Sequence, residues 1–310
     1  MTTEVKKRFP LSIFISFMAF GLFMTISFLL SDDISKYVLS GFSFSVKVIL
    51  PTVFPFMIFS DLASHCFSFE KSSFFSNIFM KLFKINPIGI SSFMSGISGG
   101  FPIGAKNSLK LYNNGKISKC ECERLMSFSN LPSPAYVITA LGIGITGSFR
   151  NGVTLYLCVL TSSIITGYFI GINKTFSQKN DFINEQKYSF ISSSKEAISA
   201  STNTVFFVSF FSGVCGVLAS LPIGNGIKAI LISITEIGDG SLYISEYCNI
   251  DSFFSFVLIS FSLSFSGLCV LSQTLALAKE NNVSLKNLLF YKLIQGSISA
   301  LLASIIYIVF

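Results

Sequence analysis

The sequence predicts an all-α polytopic membrane protein, and three observations support that fold class. Hydrophobic residues make up 51% of the chain and charged residues only 12%, with a mean hydropathy of +0.69. These values lie outside the range of soluble domains. The apolar residues are concentrated in long tracts, which predict membrane-crossing helices. Glycine and proline interrupt one of the most apolar regions, which predicts that some helices are broken.

Six apolar tracts are long enough, or nearly so, to cross a hydrocarbon core, which requires about 20 apolar residues. They lie near residues 11–30, 41–66, 151–172, 202–222, 251–271 and 285–310. Because the region between the second and third tracts is also apolar but interrupted, we expect roughly seven to nine helical passages, some of them broken.

The charges around the first tract predict its orientation. Basic residues at 6–8 precede this tract and acidic residues at 32–33 follow it. The positive-inside rule therefore places the N-terminus and the basic loop 71–84 in the cytoplasm. No small-residue cleavage site follows the tract, so we expect it to remain as an anchor. Residues 1–40 are predicted to form this N-terminal anchor helix and its loop.

Net charge and cysteine content exclude several classes of function. The formal charge of +7 is interpreted as a topology signal and a means of lipid contact, so we expect no nucleic-acid partner. The seven cysteines are scattered, which predicts neither a disulfide framework nor a metal site. The single histidine, His65, and the lack of a clustered catalytic set argue against an enzyme. No cofactor is predicted beyond a coupling ion such as Na⁺ or H⁺.

The segment 98–106 is the strongest candidate for a functional site. Its helix-breaking or hinge residues are Gly99, Gly100, Pro102 and Gly104. Non-helical backbone at membrane depth must be buried in protein or line a watery cavity. The helix that follows would present free N–H groups at this break, and Lys106 would add a positive charge, which favours a polar or anionic solute. The alternative is that Lys106 extends to a lipid headgroup.

A weak internal similarity predicts two inverted-topology repeats with broken or re-entrant helices. The break at Gly100 aligns with one at Gly267, and Lys106 then lies opposite Gln273. Transporter folds place matching breaks of this kind at a shared midplane site. The predicted division is a first half at 41–172, a polar linker at 173–195 and a second half at 196–310. Chance similarity between two Gly/Ser-rich segments is the alternative.

Three further polar residues lie in apolar surroundings. A charged side chain at bilayer depth raises the free energy of insertion by about 2.5–3.5 kcal/mol, so Glu236 predicts an ion path or a paired site. We therefore consider a Lys106–Glu236 pair that bridges the halves. Asn130 and Asp61 could line the same cavity, although Asn130 could also simply end a helix before Pro132. The predicted solute-binding set is Lys106, Glu236, Gln273 and Asn130.

Several motifs resemble one membrane-protein family. They are Gly100–Lys106, Leu111-Tyr112, Gly115–Ser118, Glu121–Leu125, Thr235–Gly240 and Phe265–Gln273. The chain is similar in these motifs to the sporulation integral membrane proteins of the YlbJ type, which carry a nucleoside-recognition (Gate) domain. Two departures are visible: the family's paired Asn and following Gly near Asn130 become Leu131 and Ser133, and the first glycine of its second break becomes Ser266.

The resemblance implies a multi-pass protein in a sporulation-stage membrane of an endospore former, needed for spore cortex formation. It also implies kinship with nucleoside transporters and ferrous-iron permeases, but fold-level kinship does not identify a substrate. Two functions remain open at this point. One is a transporter of a polar or anionic small solute, and the other is a non-transporting scaffold for cortex-assembly proteins. Beyond the lipid bilayer, a homo-oligomer or a sporulation membrane partner would be compatible with either.

Overall fold

The computed structural model describes residues 31–66, 74–172, 174, 190–249 and 252–309, apart from the side chains of 63–66 and 75. All regular secondary structure in these residues is helical. In this part of the chain, five helices are long and apolar enough to cross a membrane. They span Ser31–Leu62, Phe149–Gly171, Phe190–Ser220, Phe253–Glu280 and Leu288–Val309. The prediction of an all-helical protein with several membrane-spanning helices is confirmed to this extent.

The first spanning helix is continuous but not uniform. It consists of α1 (Ser31–Phe44), a π-helical turn (Ser45–Ile49) and α2 (Leu50–Cys66). A short amphipathic helix, α3 (Phe74–Phe83), follows. Residues 31–40 are thus helical and continue into α2, whereas the predicted anchor tract at 11–30 lies outside the described residues.

A helical hairpin and a broken helix come next. Helices α4 (Gly89–Gly99) and α5 (Ile103–Asn113) pack against each other along their length. Helix α6 (Lys119–Ser129) begins with a capping box at Ser118 and is followed, after a five-residue break, by the π-helical α7 (Ala135–Ile145). The long α8 (Phe149–Gly171) ends this part of the chain.

The later part of the chain has the same order of elements after its own first long helix, α9 (Phe190–Ser220). A hairpin is formed by α10 (Asn225–Thr235) and α11 (Ile237–Tyr247). A broken helix follows, consisting of α12 (Phe253–Phe265) and α13 (Gly267–Glu280), and then the long α14 (Leu288–Val309). Helix α9 begins within the segment 173–195 that the sequence predicts as a polar linker.

Small residues hold the helices together, and large apolar residues cover the outside. Ser260 of α12 and Ser299 of α14 share a hydrogen bond of 2.8 Å, and a Cβ added at Gly41 of α1 would collide with Ser212 of α9. Phe59 and Phe206 are about two-thirds exposed. Close backbone approach inside and exposed phenylalanine outside are typical of helices packed in a bilayer.

Candidate functional site

The first hairpin turns at Gly100 because no other residue fits there. Gly100 has φ +77° and ψ −168°, a conformation that is open essentially only to glycine. A Cβ at Gly100 would also lie 2.7 Å from the backbone nitrogen of Ser133, in the break between α6 and α7. Serine hydrogen bonds join the two arms, with Ser92 Oγ and Ser108 Oγ 2.8 Å apart. The tip of this hairpin is therefore packed directly against the first helix break.

Glycines at positions 96 and 104, four residues on either side of Gly100, permit close helix approach. A Cβ at either Gly96 or Gly104 would collide with the carbonyl oxygen of Ser129 at the end of α6. Of the other predicted hinge residues, Gly99 ends α4, Pro102 directly precedes α5, and Gly104 lies inside α5. All of them thus fall at or beside the hairpin tip.

The second hairpin turns at Glu236, which is only 4% exposed. Its side chain caps α11 by accepting a 2.7 Å hydrogen bond from the backbone N–H of Asp239. The two arms approach closely, since a Cβ at Gly240 would meet Ser233, and the hydroxyl of Tyr243 donates to Asn225 Oδ1 at 3.1 Å. The free N–H groups and the dipole at the N-terminus of α11 stabilise a carboxylate, which is one reason why an acidic residue can be buried here.

The break between α12 and α13 lies against the tip of the second hairpin. A Cβ at Gly267, which has φ +59°, would lie 3.3 Å from the carbonyl oxygen of Thr235. Ser266 precedes it in the left-handed region, at φ 77° and ψ 5°. Helices α12 and α13 make few contacts with each other, so the chain bends here but does not fold back. The breaks at Gly100 and Gly267, which the sequence aligns, therefore differ in geometry: the first is a hairpin tip and the second a bend.

One cavity of about 60 Å³ lies where these elements meet. The first hairpin tip and the following break contribute Phe101, Ser133 and Tyr136, and the second hairpin tip and α13 contribute Glu236 and Gln273. The π-helical turn, α2 and α9 supply the remaining, mainly apolar wall. A space of this size holds a few water molecules or a small ion. Two of the four predicted binding residues, Glu236 and Gln273, are thus brought together.

Asn130 lies next to this cavity and joins the two parts of the chain. It ends α6, and its side-chain Nδ2 donates a 2.7 Å hydrogen bond to Thr274 Oγ1, the neighbour of Gln273 on α13. Its backbone carbonyl accepts a 2.8 Å hydrogen bond from Lys292 Nζ on α14. Asn130 thus ends a helix and connects the first helix break to α13, but it is not among the residues that line the cavity.

Lys106 lies elsewhere, and the hypothesis of a Lys106–Glu236 pair is wrong. Lys106 Nζ is 3.5 Å from Glu196 Oε2 and donates to the Glu196 backbone carbonyl at 3.2 Å. Lys110 Nζ lies 2.6 Å from the same carboxylate and 2.9 Å from Asp61 Oδ1. These residues form a four-charge cluster, which consists of Asp61, Lys106, Lys110 and Glu196. The partner of Lys106 differs from the expected one because α9, and not the second hairpin, runs beside α5 at this point.

The four-charge cluster lies beyond the cavity along α2 and α9. Asp61 is four residues from Met57, and Glu196 is five residues from Ser201; Met57 and Ser201 both line the cavity. At about 1.5 Å per residue along a helix, the charged residues lie about 6–8 Å from these cavity-lining residues. The expectation that Asp61 lines the cavity is therefore wrong, because its carboxylate is bound by Lys110 and by Ser193 Oγ at 2.7 Å.

Sequence reasoning missed several buried polar groups. Lys292 is 1% exposed and donates hydrogen bonds to Asn130 O and, at 3.0 Å, to Gln295 Oε1. The available signal was a lysine well inside the apolar tract 285–310. Asp239 is 7% exposed and lies one helical turn after Glu236. Asp239 could have been found as a second carboxylate within the apolar segment that contains Glu236.

Comparison with known proteins supports the resemblance. The chain is 23% identical over 316 aligned residues to "Sporulation integral membrane protein YlbJ" of Bacillus subtilis (strain 168). The alignment covers 86% of this chain and 76% of the relative. The chain is a distant homologue of that protein. No family model and no solved structure matches it, so the Gate domain implied by the resemblance stays a prediction.

Proposed function

We propose that this chain is a sporulation membrane protein that moves a small polar solute through the cavity between its two hairpin tips, in support of spore cortex formation. The observation that carries the proposal is the convergence of the two hairpin tips, the first helix break and α13 on one cavity that Glu236 and Gln273 line. Buried ionisable and amide groups in a membrane protein usually face a solute or ion path.

The proposed architecture is a pair of inverted repeats. Each half contains a hairpin, a broken helix and a long helix in that order, namely α4–α5, α6–α7 and α8, then α10–α11, α12–α13 and α14. In each half the hairpin tip touches the break of the next helix. Alternating access in such folds moves one half against the other around a central site. The repeat units proposed here pair Gly100 with the turn at Glu236, and Gly267 with the break after Asn130.

The charges favour a neutral or cationic solute over the anionic solute that Lys106 suggested. Glu236 is the charged residue at the cavity, whereas Lys106 and Lys110 are bound in the four-charge cluster. A carboxylate beside an amide offers acceptors to a solute with N–H or O–H donors. Gln273 also retains bonding capacity, since its Nε2 contacts Cys269 Sγ, a weak acceptor, at 3.7 Å.

Spore yield tests this proposal. A host that lacks its own copy is complemented with wild type, with Gln273→Leu, or with the control Glu280→Gln, which changes an exposed residue of the same helix. We expect Gln273→Leu to lower the yield of heat-resistant spores by about tenfold or more at matched membrane levels, because the leucine removes both polar groups of the amide. Full rescue by Gln273→Leu would exclude the cavity as the working site and favour the scaffold function.

A further inference from the structure

Another cavity, of about 440 Å³, lies where α6 and α14 begin and α8 ends. It shares no lining residue with the cavity between the hairpin tips. Its volume falls within the range of about 300–1,000 Å³ that is usual for small-molecule sites. The wall is formed by one face of α6, by the segment that leads into α14 and by the residue Lys174 after α8. This cavity is therefore a separate candidate site, and its lining shows which chemistry it suits.

One face of α6 places an arginine in the wall of this cavity. Cys120, Glu123, Arg124 and Ser127 line it, and their spacing of three and four residues puts them on one side of the helix. Arg124 is only 8% exposed, and its Nη2 donates a 2.8 Å hydrogen bond to the backbone carbonyl of Lys84. This bond holds the guanidinium group in place at the base of the cavity. Because arginine stays protonated in proteins, the base carries a permanent positive charge.

Two lysines add positive charge at the rim of the cavity. Lys174, just after α8, and Lys286, just before α14, both line it and are exposed. The ion pairs of the described residues include neither of them. The two lysines come from chain segments that are more than 100 residues apart in sequence. The fold thus brings three cations from three elements around one space.

The carboxylates of α6 offset only part of this positive charge. Glu123 is the acidic residue among the lining. Glu121 interacts with the charge of Arg124 but does not line the cavity, and it accepts the backbone N–H groups of Asn86 at 2.9 Å and of Ser118 at 2.8 Å. The lining therefore carries three positive charges and one negative charge. A phosphate monoester has a charge of about −1.5 to −2 near pH 7, which matches this excess.

Neutral donors and a helix N-terminus complete the lining. Ser284 and Tyr291 contribute hydroxyl groups and Asn287 contributes an amide. The backbone carbonyl of Asn287 accepts a 3.0 Å hydrogen bond from the N–H of Tyr291, so the first turn of α14 begins beside the cavity. The N–H groups and the dipole of a helix N-terminus favour an anion. A phosphate group has three acceptor oxygens and can use more of these donors than a carboxylate, which has two.

We propose that this cavity binds the phosphate group of an anionic ligand, with Arg124 at its base and Lys174 and Lys286 at its rim. The phosphate could belong to the headgroup of an anionic lipid or to a soluble phosphate ester. Arg124 contacts Lys84, the end of the basic loop that the positive-inside rule predicts to be cytoplasmic, and anionic lipids attract basic residues on that side. The site goes beyond the proposed transport function and does not depend on it, because the two cavities share no lining residue.

Binding to the purified full-length protein in detergent tests the site with two probes. Affinity for inorganic phosphate is obtained from the dependence of the unfolding temperature on phosphate concentration at constant ionic strength. Retained phosphatidylglycerol is titrated by native mass spectrometry in mixed micelles that also contain phosphatidylcholine. Wild type is compared with the double variant Lys174→Gln/Lys286→Gln. The control, Lys36→Gln/Lys279→Gln, removes the same charge from exposed positions outside the cavity lining. Because all four lysines are exposed, both variants should fold, which elution as a single symmetric peak verifies.

The two probes also distinguish the two sources of phosphate. We expect wild type to bind at least one probe saturably, the Lys174→Gln/Lys286→Gln variant to bind it about tenfold or more weakly, and the control to stay within about twofold of wild type. A response to inorganic phosphate alone would support a soluble ester, and retention of phosphatidylglycerol alone would support a lipid headgroup. Equal affinity of the test and control variants would overturn the proposal, because general attraction to a basic surface would then explain the binding. Lack of saturable binding of both probes to wild type would overturn it as well.

Discussion

The two helical hairpins contribute different chemistry to the same cavity. The tip of α4–α5 contributes Phe101 and is held by close contact between Gly100 and Ser133. Its charged residues, Lys106 and Lys110, lie on α5 and are bound in the four-charge cluster. The tip of α10–α11 places Glu236 in the cavity wall, with Asp239 buried behind it and outside any ion pair of the described residues.

The first hairpin is thus important mainly for packing, and the second mainly for binding. At the first hairpin, backbone contact determines the structure and the charges are neutralised by their neighbours. At the second hairpin, the backbone caps Glu236, whose side chain also lines the cavity. Substitutions at the first hairpin should therefore act mainly on stability, and substitutions at the second mainly on function. Four predictions test this contrast.

The largest effect is expected at the tip of the first hairpin. Gly100→Val should destabilise the protein strongly and abolish function. Its φ of +77° costs a non-glycine residue about 1–3 kcal/mol, and the collision with Ser133 adds about 1–3 kcal/mol. Thermal unfolding in detergent measures the loss. Gly115→Val is the matched control, because Gly115 has φ +69° but a Cβ there meets nothing within 4 Å. A loss at Gly100 no greater than the loss at Gly115 would refute close packing at the tip.

The next effect concerns the four-charge cluster. Lys110→Met leaves Asp61 and Glu196 without their shortest ionic contacts. Removing one partner of a fully buried pair costs about 3–5 kcal/mol, and we expect about 2–4 kcal/mol here because the lysine is 19% exposed. Lys106→Met, which breaks a 3.5 Å ionic contact and a 3.2 Å hydrogen bond to a backbone carbonyl but leaves the shorter ion pairs of Lys110 in place, should cost clearly less in the same unfolding measurement. Equal losses would show that the two lysines do not differ in role.

At the second hairpin, function and stability should separate. Glu236→Gln keeps a side-chain oxygen that can cap α11, so its free energy of unfolding should stay within about 1 kcal/mol of wild type. Its yield of heat-resistant spores should nevertheless fall, because the charge at the cavity is removed. Glu236→Ala, which also removes the cap, should unfold more easily by about 0.5–2 kcal/mol. Normal spore yield with Glu236→Gln would assign the residue a capping role alone.

The smallest effect is expected at the second helix break. Ser266→Gly should stabilise the protein by up to about 1–2 kcal/mol, because glycine relieves the left-handed conformation at φ 77°. Ser264→Gly, two residues earlier in regular helix, should destabilise it instead by about 0.5–1 kcal/mol. Thermal unfolding of the two variants gives opposite signs if this is correct. The same sign for both would exclude strain at Ser266.

The sequence predicts the spanning helices and the positions of their breaks, but not the geometry of those breaks. Five of the six apolar tracts overlap the spanning helices, since length and hydropathy are sufficient for that prediction. The breaks at Gly100 and Gly267 are also predicted from local sequence, because glycine and proline disfavour a continuous helix. Whether the chain then folds back or continues depends on tertiary packing. This explains why the sequence aligns two breaks that the structure forms differently.

Local sequence also cannot predict which residue a buried polar side chain will contact. Glu236 and Gln273 were predicted as site residues and do line one cavity, because each is a polar side chain beside a helix break. Lys106 has the same local features but lies beside α9, where Glu196 is the nearest carboxylate. Lys292 was missed because its partners, Asn130 and Gln295, are a backbone carbonyl and an amide. Such partners leave no charge pattern in the sequence.

The π-helical turn at Ser45–Ile49 affects how the chain tolerates a change in length. An α-helix has about 3.6 residues per turn, whereas the i→i+5 bonding of a π-turn accommodates an additional residue. A one-residue deletion in an ordinary helix rotates everything beyond it by about 100°. A deletion within this turn could instead be absorbed by conversion to α-helix, so that the lipid-facing and buried sides of α1 and α2 keep their relative phase. This turn is thus the position in the first spanning helix where natural length variation would be least disruptive.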